Sequence, residues 1–318
     1  MFSNKNVLVT GGAGFIGINV INRLLIDGAR IRATLHRKNP VILDPSIEYI
    51  RTDLSKWEDC QKAVEDMNYV FMCASVSSGA AIIQETPMAH VTPNDAMNAF
   101  MLKAAYEASI KKFLFISSCT VYPPSDHPLK EDEERSGPPF EKYYFVGTMK
   151  RYVEDLCRMY AEKIKQPMPI VVVRPTSVYG PHDDFGWESS HVIPALIRKV
   201  VERRDPVEVW GNGTAIKDLV YIDDLLEGIF LAMEKLETFT PLNIGSGLQI
   251  SIKEILDYIL RTDNYENAKI KFNVSKPTML PKMLIDVSLA KKTIGFEARV
   301  LPQEGLKKTV EWYKQNRT

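Results

Sequence analysis

The chain has no surplus of either charge, since 40 Lys plus Arg face 40 Asp plus Glu. It therefore builds no global field of the kind that draws a protein to nucleic acid or to an anionic membrane, and neither is expected as a partner. Any anionic ligand must be held locally, by loop amides and individual basic side chains. Cysteine is scarce. Cys60, Cys73, Cys119 and Cys157 are scattered, without a CxxC pair or metal-ligand spacing. That excludes a disulfide framework and a zinc module, and it points to reduced thiols in a cytoplasmic protein with no metal. No run approaches the ~18 apolar residues of a membrane span. The N-terminus leads into a strand-like segment with no small-residue cleavage site, so no signal peptide is expected. There is no internal repeat.

What is present is an ordinary globular composition, 45% hydrophobic and 25% charged over 318 residues. This length suits one large α/β domain or two closely joined ones. Apolar runs of strand length alternate with amphipathic stretches, the pattern of βαβ units around a buried parallel sheet. Strands are expected at Asn6–Thr10, Ile31–Leu35, Glu48–Thr52, Tyr69–Cys73, Lys112–Ser117 and Ile170–Arg174. Helices are expected at Gly14–Asp27, Trp57–Glu65, Asn94–Ser109 and Met149–Glu162. Tyr122–Phe140 holds five prolines and a charged run, and reads as a long functional loop. After Pro175 the rhythm loosens: a loop at Gly180–Ser190, a helix at His191–Arg203, short strands at Val207–Val209 and Leu219–Ile222, and helices at Ser251–Leu260 and Leu306–Gln315. The expected architecture is α/β: a doubly wound parallel sheet over 1–175, and a smaller, partly interleaved α/β substrate-binding region over 176–318.

Directly after the first strand, Gly11, Gly14 and Gly17 stand at GxxGxxG spacing before a helix. Glycine lets the backbone turn sharply and approach a pyrophosphate, while the helix N-terminus offers unpaired N–H groups to the anion. A plain tight turn is the competing reading, but the strand–turn–helix context favours a dinucleotide. The second strand ends in Ala33-Thr34-Leu35-His36-Arg37-Lys38, without the acid that would hold an NAD ribose. Arg37 suits a 2′-phosphate instead, so NADP is preferred and NAD stays possible. Asp53 is placed either to meet the adenine or to serve as a turn residue.

These residues resemble the extended short-chain dehydrogenase/reductase family of NAD(P)-dependent sugar-nucleotide epimerases and dehydratases, which have a Rossmann fold. The resemblance runs through Thr10–Gly17, Phe115–Tyr122, Arg174–Pro181, Val209–Gly213, Asp218–Asp224 and Asn243–Gly247. Pro181–Phe185 and Ser190–Leu196 look most like the GDP-L-fucose synthase branch. The resemblance implies a nucleotide-diphosphate sugar as substrate, cofactor contacts from Phe15, Ile16, Leu54, Ala74, Ser75 and Pro175, and a homodimer formed through a helix pair that includes Met149–Glu162.

The family's chemistry needs a Ser or Thr, a Tyr acid/base and a Lys that lowers the Tyr pKa. Ser118 and Lys150 match the first and last. Four residues before Lys150, on the same helix face, stands Val146, which carries no proton. Tyr143 and Tyr144 are the nearest phenols. On a regular helix Tyr143 would lie about 700° and ~10 Å from Lys150, a turn too far; both tyrosines are candidates, and both are equally readable as packing residues. His191 matches the histidine that moves protons beside the sugar's keto group in that branch. For its partner, Thr120 is preferred over Cys119, because strand alternation would put Ser118 and Thr120 on one face and Cys119 on the other. Lys217 and Lys282 stand where arginines are usual and could meet phosphates; Asn94 and Val192 complete the expected substrate contacts, and Arg174 reads as structural. Three functions remain open: an active epimerase or 4-keto reductase, a non-redox epimerase relying on His191, and a catalytically silent dinucleotide-binding protein.

Overall fold

The computed structural model describes residues 1–76 and 85–317. Seven parallel strands form the central sheet: β1 (Asn6–Val9), β2 (Arg30–Leu35), β3 (Ile47–Arg51), β4 (Tyr69–Met72), β5 (Lys112–Ile116), β6 (Ile170–Pro175) and β11 (Leu242–Ile244). Their spatial order is β11-β6-β5-β4-β1-β2-β3, so the strand order reverses between β1 and β4. Such a switch point opens a crevice at the carboxyl ends of the strands, where α/β sheets bind ligands.

The strands are apolar on both faces because both faces are covered. Val7, Val9, Phe71, Leu114, Ile116, Val171 and Val173 belong to one core. Their alternating neighbours Leu8, Val70, Met72, Phe113, Phe115, Ile170 and Val172 belong to the other. Each fully buried side chain of this size contributes about 1.5–3 kcal/mol. The second core is closed by α2 (Trp57–Val64), α3 (Met88–Glu107) and α4 (Tyr144–Glu162). The first is closed by α1 (Phe15–Ile26) and α6 (Ile222–Lys235). Phe230 of α6 packs on Phe71 and Phe2 at ring distances of 5.4 and 5.5 Å.

The expected strands 1 to 6 fall within a residue or two of those observed, the ordinary scatter of element ends. Two helices begin earlier than expected. α3 starts at Met88 rather than Asn94, because Pro93 lies in its second turn and removes only one early hydrogen bond. α4 starts at Tyr144 rather than Met149, running through Gly147, where a Cβ would collide with the Thr120 carbonyl and the Pro139 ring. Close approach, not helix propensity, selects glycine there.

Beyond Pro175 the chain weaves back into the sheet through α6 and β11 before completing a smaller region. That region holds β7 (Ser177–Tyr179) paired with β10 (Leu219–Tyr221), β8 (Val207–Trp210) with β13 (Ile270–Asn273), and β9 (Ile216–Lys217) with β12 (Ile250–Ser251). Its helices are α5 (Val192–Val201), α7 (Ile252–Thr262), α8 (Ser288–Ile294) and α9 (Pro302–Asn316). A third apolar cluster, with Cys119, Val121, Tyr122, Leu129, Leu280, Met283 and Ile285, pins the long 122–140 loop onto this region. Among the described residues no helix is long and apolar enough to cross a membrane.

Candidate active site

The glycine turn has the form that a phosphate cradle requires. Gly11 adopts φ +67°, and a Cβ there would sit 2.8 Å from the Ala74 Cα. A Cβ on Gly17 would strike the Gly11 carbonyl. Thr34 holds the turn from β2, its hydroxyl accepting from Gly11 N at 3.0 Å and its carbonyl accepting from Gly12 N at 2.8 Å. Gly14 is the N-cap of α1 and offers no capping side chain, and the helix's first turn carries no acid. Phe15, Ile16 and Gly17 thus begin a helix whose positive end is left for an anion, so the residues present fit a dinucleotide pyrophosphate.

At the end of β2, His36, Arg37 and Lys38 are all exposed. Across the crevice, burial pushes Asp184 up, but hydrogen bonds from Ser189 and the Gly186 amide, with the charges of Lys38 and His191, outweigh it and hold the carboxyl below its usual value. Asp53 accepts from Ser55 at its amide (3.1 Å) and hydroxyl (2.5 Å), the geometry of a turn residue opening α2. Leu54 is core beneath it. At the end of β4, Ala74 N donates to Thr10 Oγ1 at 2.9 Å. Asn94 is buried and fully engaged: it accepts from Ser75 Oγ (3.2 Å) and Val76 N (3.0 Å), and donates to the carbonyls of Val76 (3.0 Å) and His90 (2.7 Å). It clamps the loop that faces the glycine turn. Pro175 lies buried at the end of β6, paired with Ile244.

The segment after β5 differs from the expected strand. β5 ends at Ile116, and Cys119–Val121 form a 3-10 turn whose N-cap Ser118 accepts from Thr120 N at 3.1 Å. Strand alternation therefore does not govern these side chains. Ser117 turns inward, donating to Glu154 Oε1 at 2.5 Å, and Glu154 pairs with Arg174 at 3.0 and 2.5 Å. Arg174 also reaches Tyr122 Oη (2.9 Å) and the Glu131 carbonyl (2.8 Å), the structural role expected of it. Thr120 Oγ1 is buried with no partner among the described residues.

Lys150 projects from α4 to the end of β5, donating to the Ile116 carbonyl at 2.8 Å over the Phe115 ring at 4.7 Å. Burial pulls its pKa down to about 8, against the opposing pull of Glu154 and Cys157. One turn earlier on that face, Val146 is 7% exposed. Tyr143 precedes α4 and packs into the third apolar cluster; burial, with Cys119 beside it, raises its phenol. The structure brings Tyr143 to Cys119. Tyr144 is 44% exposed and stacks edge-on with Phe145.

His191 caps α5 beside the exposed Val192. Burial lowers its pKa, and Asp184 opposes. The loop before it is anchored by Phe185, stacked on Tyr313 at 4.4 Å, and by Arg198 over Trp187 at 3.7 Å. Lys217 donates to the Leu280 carbonyl at 3.0 Å; burial lowers its pKa while Cys119 opposes. Burial likewise lifts the Cys119 thiol to about 11, with Lys217 pulling the other way. Lys282 reaches the Asp126 carbonyl at 3.2 Å on the exposed rim. Sequence reasoning missed His90, a buried histidine whose ring feels both Lys150 and His191; no local motif marks it.

The model of the family described as "NAD dependent epimerase/dehydratase family" matches residues 7–245. GDP-L-fucose synthase 1 of Arabidopsis thaliana is 26% identical over 98% of this chain and 94% of its own. Among solved structures, UDP-glucose 4-epimerase of Thermotoga maritima with UDP-glucose superposes with a TM-score of 0.88 at 25% identity, covering 98% of this chain and all of that one. UDP-glucuronic acid 4-epimerase of Bacillus cereus, in complex with UDP-glucuronic acid and NAD, gives 0.85 at 26% identity over 98% and 99%.

Proposed function

The chain belongs to the NAD dependent epimerase/dehydratase family, and from that premise we propose that it is a sugar-nucleotide epimerase or 4-keto reductase of the GDP-L-fucose synthase kind. A bound nicotinamide dinucleotide supplies hydride chemistry to such a reaction. Gly11, Gly14 and Gly17 would hold its pyrophosphate, and Arg37, on a strand end without an acid, favours the 2′-phosphate of NADP. Ser118 would orient the hexose oxygen. Lys150 would place a positive charge beside the nicotinamide ribose, and Lys217 and Lys282 would meet the substrate diphosphate as point charges. The observation that carries this reading is the coincidence of an uncapped, glycine-lined helix end with a largely buried ammonium at the end of β5.

Lys150→Ala is expected to lower kcat by roughly 10²–10⁴ on sugar nucleotides while leaving the fold intact. Wild-type turnover by that variant would sink the assignment. A second reading, a non-redox epimerase, is favoured by Val146 together with a His191 at the mouth of the crevice. It predicts solvent deuterium incorporation beside the sugar carbonyl that His191→Asn abolishes and Lys150→Ala spares. The active form is read as a homodimer through α4, and the free thiols at Cys60, Cys73, Cys119 and Cys157 suit a reducing, cytoplasmic compartment.

A further inference from the structure

The loop that leads from β7 to α5 opens with a turn that its own residues do not favour. Gly180, Pro181, His182 and Asp183 close it, Asp183 N donating to the Gly180 carbonyl at 3.3 Å. Proline fixes negative φ at the second position, and His182 stands at φ +69°. Together these define a type II turn. Type II differs from the commoner type I by a half-rotation of the central peptide, and it demands positive φ where a residue with a Cβ rarely adopts it. The entry to the turn cannot adjust. A Cβ on Gly180 would lie 2.5 Å from Ile222 Cγ2, so the backbone there is pressed against the start of α6. A strained conformation of this kind persists only where its surroundings over-determine it.

Two distant side chains do so. The His182 ring packs edge-on to Trp312 of α9 at 4.8 Å. From the other side Asn19, one turn into α1, donates through Nδ2 to the Pro181 carbonyl at 3.1 Å and to the Phe15 carbonyl at 2.9 Å. The Pro181 carbonyl belongs to the central peptide, the group that points the opposite way in a type I turn. Both amide protons of Asn19 are thereby used: the helix orients the amide, and the amide orients the turn. The helix whose uncapped end awaits a pyrophosphate thus also grips the loop on the substrate side. Past the turn, Asp184 N donates to Asp183 Oδ1 at 2.7 Å and Gly186 N to Asp184 Oδ1 at 2.8 Å. The loop then runs to His191, the N-cap of α5.

We propose that Asn19 is a positioning residue: its amide keeps the Pro181–His182 peptide flipped, and so sets the 181–190 loop, with His191 after it, against the helix that receives the dinucleotide. The consequence for ligands rests on the dinucleotide and sugar-nucleotide reading above, whereas the latch itself is a property of the chain alone.

The test compares the full-length wild type with Asn19→Leu, His182→Gly and the double variant. Amide hydrogen exchange followed by NMR reads the latch without any ligand. Asn19→Leu is expected to speed exchange at Asp183 and Gly186 about tenfold, the weight of one hydrogen bond, while the amides of β1 and β6 keep their protection. Adding His182→Gly recovers most of that protection, because glycine holds positive φ without help; loss of a merely structural contact would not be repaired this way. Unchanged exchange at Asp183 and Gly186 in Asn19→Leu overturns the proposal. Calorimetry then reads the consequence, with NADP⁺ first and GDP-mannose or UDP-glucose on the NADP⁺-loaded protein. Asn19→Leu is expected to bind NADP⁺ as the wild type does and the sugar nucleotide about tenfold more weakly. An equal loss for NADP⁺ would place the role of Asn19 at the helix end and overturn the proposal. If the wild type binds neither NADP⁺ nor NAD⁺, the dinucleotide reading fails, and hydrogen exchange still decides whether Asn19 holds the loop.

Discussion

Lys150 faces two opposing demands. Its carbonyl partner at Ile116 and the Phe115 face hold it at the end of β5, yet burial draws its pKa down to about 8. If the ammonium is the working form, kcat/KM, which reports the free enzyme, falls as pH rises through about 8. Lys150→Arg, whose guanidinium stays charged, is expected to flatten that limb at reduced rate. The stability effect has the opposite sense. The unfolded lysine titrates near ~10.5, so between about 8 and ~10.5 the unfolded chain binds the extra proton, and this site's contribution to stability rises with pH. The preference for NADP proposed above rests on Arg37. Arg37→Ala should weaken NADP⁺ binding about tenfold in calorimetry and leave NAD⁺ unchanged, because only the former presents a phosphate to a guanidinium. Equal losses for both would remove the 2′-phosphate contact.

At the scale of elements, α4 is the part that turns sheet geometry into site geometry. Val146, Lys150 and Glu154 share one face at i, i+4 and i+8. Glu154 anchors that face through Ser117 and Arg174, and Arg174 continues to Tyr122, which donates to Asn243 Oδ1 at 2.7 Å. Glu154→Gln would leave the Arg174 guanidinium buried without its counter-charge, a loss of about 3–5 kcal/mol, readable as a lower urea midpoint with an unchanged slope. A smaller shift than 1 kcal/mol would mean that the guanidinium finds its own compensation in the Glu131 carbonyl. The same helix explains Gly147, since the helix start can approach the 119–121 turn only where no Cβ intervenes.

Over the whole molecule, one outward stripe of α4 stays open to solvent: Phe145, Tyr152 and Met159 recur every seven residues and are 59%, 50% and 37% exposed. Apolar and aromatic residues at that spacing lie along one line of a helix and favour a second helix against them. Tyr152→Glu should therefore shift sedimentation toward the monomer at micromolar concentration, and an unchanged dimer would place the interface elsewhere. The six early strands, the glycine turn and the missing phenol at Val146 were all legible in sequence. The seventh strand was not, because Leu242–Ile244 is too short to announce a partner more than sixty residues away in β6. Nor was the neighbourhood of Cys119, since a 3-10 turn replaces the alternation of a strand and delivers the thiol to Lys217 and Tyr143.

Local rules settled what depends on neighbours along the chain. Short apolar runs wrote the strands, the spacing of Gly11, Gly14 and Gly17 wrote the phosphate turn, and four-residue spacing from Lys150 exposed Val146. Contacts between distant segments settled the remainder. Asn94 became a clamp because Val76 came within reach, and Glu154 became an anchor because Ser117 and Arg174 meet it from the ends of β5 and β6. Apolar runs and turn chemistry are properties of a few consecutive residues, whereas proximity across a folded core depends on every element between the two groups.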